Sequence, residues 1–96
     1  METGSYLLIE PGMIVRGTDG DLGKVAEVVA DAGVDIFRGI VLSHGFLAGK
    51  QGFIVAELVQ SVEQNVVHVS LTKTDADNLP VPREGGQTYE GRDLLL

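Results

Sequence analysis

Apolar residues in this chain come in short alternating runs, and each run is soon cut off by glycine, asparagine or proline. That punctuation restricts the fold more than any other feature. A run that alternates and then breaks suits a half-buried strand followed by a tight turn; it cannot supply the apolar stripe of a long helix. Met13–Gly17 reads as a first strand and Lys24–Asp31 as a second. Ile36–Ser43 reads as a third, with Ile36, Arg38, Ile40 and Leu42 on one face and Phe37, Gly39, Val41 and Ser43 on the other. Gln51–Ala56 is a fourth, with Phe53 and Val55 opposite Ile54, and Ala56–Val59 forms a helical turn before a strand at Gln60–Glu63. Gln64-Asn65 suits a two-residue hairpin, because asparagine tolerates positive φ. Val66–Leu71 alternates most clearly, with Val67, Val69 and Leu71 inward. Thr72 is then a helix N-cap, with Asp75 where a capping box places its acid, and Asn78-Leu79-Pro80 stops the helix.

Many short strands and no long amphipathic helix predict an all-β fold, a small barrel or sandwich of about six short strands with a short C-terminal helical turn. Closure into a barrel is the more economical form, since it removes exposed edges. The chain divides into a lead-in (1–10), one domain (11–80) and a polar tail (81–96) that ends in Leu94, Leu95 and Leu96. With 96 residues there is material for one domain. The absence of cysteine excludes disulfides, thiolate metal sites and thiol catalysis. Met1-Glu2-Thr3 lacks a cationic leader, and no apolar run approaches the ~20 residues of a membrane helix, so the expected compartment is the cytoplasm. The net charge of −7, with the basic residues scattered, argues against nucleic-acid and anionic-membrane partners.

The most distinctive stretch is VRGTDGDLGKV, residues 15–25. A phosphate-cradling loop requires G-x-x-x-x-G-K-[ST]. Here Gly17 and Gly23 are one residue too far apart, and Val25 stands where the hydroxyl is needed. A calcium loop begun at Asp19 would have Asp21 at its third position but Gly23 at its fifth and Ala30 at its twelfth. The remaining reading is structural. Asp19-Gly20 forms the centre of a hairpin turn, and Gly23 marks the start of the second strand, at a bulge. The order Ile14-Val15, then Gly23-Lys24, recurs as Ile40-Val41, then Gly49-Lys50, which suggests one strand–loop–strand device used twice.

No catalytic constellation emerges. Ser43 and His44 are neighbours, but adjacent strand residues point to opposite faces. His68 sits mid-strand opposite the core face, and two histidines without a third ligand give no metal signal. No cofactor is implied. The better functional candidate is HGFLAGKQGF, residues 44–53, with His44 in a loop that carries Phe46 and Leu47 and turns at Gly49. Exposed apolar groups on a small rigid fold mark an interaction patch, the alternative being that Phe46 or Leu47 caps an open barrel end. His44, Phe46, Leu47 and Leu94–Leu96 are therefore the partner-binding candidates, and Asp19, Gly20, Gly23 and Gly49 the structural turn residues. A small-ligand or ion sensor at Asp19/Asp21 or the His44 loop is the alternative. A hydrolase comes third and would need a deep cleft with convergent polar groups.

The order of these motifs resembles the PRC-barrel family. The matching features are Gly12 to Val15, then Asp19-Gly20 with Gly23 and Val25, then the His44–Gly49 loop, then IVAELVQSVEQNVVHV running to a short helix and Leu79-Pro80. The likeness covers about residues 11 to 80. It implies a small, strongly bent β-barrel whose members dock onto other macromolecules and are not known as catalysts. The resulting expectation is a stand-alone protein-binding or assembly module, self-associating as a homodimer.

Overall fold

In the computed structural model of the chain, the described residues are 8–31, 36–45 and 49–81. They form six strands: β1 (Ile14–Gly17), β2 (Gly20–Asp31), β3 (Ile36–His44), β4 (Lys50–Val55), β5 (Val59–Glu63) and β6 (Val66–Val69). A 3-10 turn, Ala56–Leu58, lies between β4 and β5, and one short helix, α1 (Lys73–Asp77), follows β6. The strands make a single mixed sheet in the order β4-β3-β2-β1-β6-β5. Only β1 and β6 pair in parallel; the other neighbours are antiparallel.

The two outermost strands are thus consecutive in sequence. Laid flat, six strands at ~4.8 Å spacing would put the edges ~24 Å apart. The chain from Val55 to Val59 spans at most ~14 Å. The sheet must curl to bring β4 near β5, and three bulges supply the bend. Against β1, Val15 pairs with Gly23 and Arg16 with Asp21, which leaves Leu22 over. Against β3, Val25 pairs with Leu42 and Glu27 with Val41, which leaves Ala26 over. On β3 itself, Gly39 pairs with Val29 and Phe37 with Ala30, which leaves Arg38 over. The sheet is curled but not closed: among the described residues no ladder joins β4 to β5. Each edge is blunted instead. Phe53 of β4 donates its N–H to the carbonyl of Pro80 at 2.8 Å, and β5 is bulged at Gln60.

The concave face holds the main core, built from Val15, Val25, Ile40, Leu42, Ile54, Val59, Val67 and Val69, with Leu71 and Ala76 from the α1 region. Ile9, from the lead-in, is buried with them. A smaller cluster lies on the other face, where Val41 and Phe53 pack with Ala26, Val29 and Val55. Strict alternation places Phe37 on the Val41 face, yet Phe37 packs against the main core. The bulge at Arg38 explains the reversal, because one extra residue flips every side chain before it. Ile36 is turned outward by the same shift and is 46% exposed.

Other local expectations are met. Gln64 and Asn65 both adopt positive φ, as a two-residue hairpin needs. Thr72 and Asp75 form a reciprocal capping box, with the Asp75 N–H donating to Thr72 Oγ1 at 3.1 Å and the Thr72 N–H donating to Asp75 Oδ2 at 3.0 Å. The suggested repeat is two hairpins but not one register. Ile14 and Val15 pair with Lys24 and Gly23, whereas Ile40 and Val41 pair with Ile54 and Phe53.

Gly39 carries the bulge at φ +152°, and a Cβ there would collide with the Ile54 carbonyl and the Phe53 ring. Gly39→Ala should therefore cost about 2–3 kcal/mol, read as a lower urea midpoint at unchanged m-value.

Candidate functional site

The β1–β2 turn is bound to α1 and the residues leading into it by three interactions. Thr18 donates its N–H to the Leu71 carbonyl at 2.7 Å, and its hydroxyl donates to the same oxygen at 3.3 Å. Asp19 Oδ1 accepts the Lys73 N–H at 3.0 Å, satisfying a donor that the start of a helix leaves unpaired. The centre of the turn is Thr18-Asp19, one residue earlier than Asp19-Gly20, and Gly20 is already the first residue of β2, paired with Gly17. Neither Thr18 nor Asp19 has positive φ; Gly20 does, at +134°. The contacts with residues 71 and 73 decide this offset, and local sequence does not contain them. Gly23 likewise lies inside β2, beside the Leu22 bulge. A Cβ on it would strike the Ser43 carbonyl and His44 Cβ, so glycine is what lets β2 approach the end of β3.

Asp21 pairs with Arg16, Nε to Oδ1, at 2.6 Å. The hydrogen bond from Arg16 holds the Asp21 carboxyl below its ordinary value of 3.8, with the Arg16 and Lys73 charges adding to the pull. Arg16 is raised in turn by the same bond. Both aspartates of the distinctive stretch therefore have partners within the protein. No helix springs from Leu22 or Gly23, as a phosphate loop would require. Among the described residues no three His, Cys, Asp or Glu side chains gather into a metal-binding group.

His44 is the last residue of β3 rather than a loop residue, and it is 7% exposed. It continues the inward parity of Ile40 and Leu42, which carries the imidazole to the rim of the core, where Nδ1 lies 3.9 Å from Asp77 Oδ1. It separates two hollows. The larger, about 560 Å³, is walled by Gly49, by Lys50 and Gln51 of β4, by Asp77 of α1, and by Leu79 and Val81 beyond the helix. The smaller, about 180 Å³, lies between Asp21 and Leu22 of β2, Gly45, and Lys73 of α1. Gly45 and Gly49 thus hold the two ends of the loop that sequence singled out. Phe46, Leu47, Leu94, Leu95 and Leu96 fall outside the described residues. His68 is half-buried on β6, away from both hollows. Lys50 and Gln51 fall within the 44–53 stretch that sequence marked, whereas Asp77, Leu79 and Val81 were not marked as site residues, because only folding brings β4 against the chain after β6.

The sequence matches no protein-family model. No curated protein shows significant similarity to it. Among the described residues no helix is long and apolar enough to cross a membrane.

Two measurements check the roles of the aspartates. Asp19→Ala should lower the urea midpoint more than Asp21→Ala, since the first strips a partner from a helix N–H and the second breaks an exposed ion pair. Because folding lowers the Asp21 pKa, its contribution is present above the unfolded value and lost as pH falls through the folded one. In a carboxyl ¹³C titration, Arg16→Gln should move the Asp21 midpoint upward.

Proposed function

We propose that this chain is a non-catalytic protein-binding or assembly module on a PRC-barrel-like fold, self-associating as a homodimer in the cytoplasm. One observation carries the reading: the two ends of the loop marked in sequence as an interaction candidate flank a groove of two hollows that share His44. His44, Gly45 and Gly49 line its hollows. The groove also presents Val81, an apolar side chain 80% exposed. A mixed polar and apolar groove on a rigid scaffold suits recognition of another chain. The PRC-barrel likeness draws support from the curled six-stranded sheet, the glycine-bearing first hairpin and the short capped helix ending at Leu79-Pro80.

Small-ligand binding is the second reading, because the larger hollow is of ligand size. Such a ligand would sit beside His44 rather than at the Asp19/Asp21 turn, whose carboxylates are engaged. For a hydrolase, the described walls of that hollow offer no serine, threonine or cysteine.

Light scattering across ~10 to ~500 µM should show a monomer–dimer equilibrium, and deleting Leu94–Leu96 should weaken it at least ~10-fold. A mass that stays monomeric throughout would refute the self-associating module.

A further inference from the structure

The β3–β4 ladder runs without a break from the Gly39–Val55 pair to the His44–Lys50 pair. In an antiparallel pair the residues of one strand alternate: one exchanges hydrogen bonds with its partner, and the next turns its N–H and C=O away. Phe53 turns away, since its N–H goes to the Pro80 carbonyl on the far side of β4. Gln51, two residues earlier, therefore turns away as well. Its outward N–H and C=O have no hydrogen-bond partner among the described residues, and Gln51 lines the 560 Å³ hollow. Pro80 covers the edge at Phe53, and no described residue does so at Gln51.

The surroundings of that bare edge have a definite chemistry. Leu79 and Val81 supply an apolar wall. The Asp77 carboxylate faces His44. The Lys50 ammonium, which belongs to the residue paired with His44, has no ion-pair partner among the described residues. A strand edge and a cation that both lack partners among the described residues, together with an apolar wall, define a strand-addition site with a charge preference.

Resting on the reading of this protein as a binding module, we infer that β4 around Gln51 takes an extended acidic peptide segment from a different protein. The segment would exchange backbone hydrogen bonds with Gln51, lay an apolar side chain against Leu79 and Val81, and set a carboxylate beside Lys50. A second copy of this chain suits the edge poorly. Its own β4 is held by Pro80, and its β5 is bulged at Gln60.

The test is an amide NMR titration of the full chain with an acetylated, amidated hexapeptide that alternates valine and glutamate. Saturable shifts should centre on Gln51 and its neighbours. Gln51→Pro deletes an N–H that the ladder does not use, at an edge where proline is tolerated, and should weaken binding at least ~10-fold, while Gln51→Ala retains it. Lys50→Glu should weaken binding by ~5-fold or more, and a valine–lysine peptide should bind at least ~10-fold more weakly. A peptide N-methylated at its central residues loses its own donors and should fail to bind, which tests strand pairing without altering the protein. Absence of saturable shifts at Gln51 up to ~5 mM would overturn the inference, as would equal binding of the N-methylated or the lysine peptide. Shifts at Gln51 that depend on protein concentration alone would give the edge to a second copy and overturn it too. Light scattering that finds only monomer would leave this titration unaffected, so the two proposals fail separately.

Discussion

Three residues, Ala56–Leu58, join strands that stand at opposite edges of a six-stranded sheet. The curvature of the molecule follows from that short connection. A flat sheet would hold those strands too far apart, so the ladder must roll up, and a rolled ladder encloses a single concave core. Long straight strands resist such bending. Here β2 has 12 residues, and it bends because Leu22 and Ala26 are extra against its two neighbours. The core needs no aromatic ring on its deepest positions: valine, isoleucine and leucine fill the narrow interior, while Phe53 lies on the other face over Gly39. The edges remain unjoined, and proline on one side and a bulge on the other limit what can pair with them.

Curling also places the first turn against the last helix. A helix of five residues is marginal alone, and α1 is held by its capping box, by Asp19 at its first turn, and by Ala76 in the core. The aspartate- and glycine-rich stretch is thereby used for construction. Asp19 serves the helix, Asp21 serves Arg16, and Gly17 and Gly23 admit close backbone neighbours. Side chains not used in this way, His44, Lys50, Gln51 and Val81, meet at the larger hollow beside α1. The groove and the turn share α1 as a common wall, so the packing of the turn contributes to the shape of the groove.

Much of this was legible from local pattern. The existence of all six strands, the Gln64-Asn65 hairpin and the Thr72–Asp75 cap each depend on a few consecutive residues. The errors have one cause. A bulge exists only relative to a partner strand, and nothing at Arg38 announces that Phe37 will face Ile40 rather than Val41. The same holds for the β1–β2 turn, displaced by one residue through contacts with Leu71 and Lys73, and for His44, which extends β3 because Lys50 pairs with it. The candidate site was half visible: His44 and the glycines around its loop stood out, while Asp77, Leu79 and Val81 did not.

The sequence by itself determined the period-two alternation, the turn chemistry and the helix cap, because these arise from backbone sterics and from hydrogen bonds between residues a few positions apart. Only the tertiary structure decided where the alternation reverses, how far the sheet closes, which carboxylates are already engaged, and which strand edge lines a groove. Those outcomes depend on pairings across the chain, such as Asp19 with Lys73 and Phe53 with Pro80. Their free energy is gained only once the whole sheet has curled.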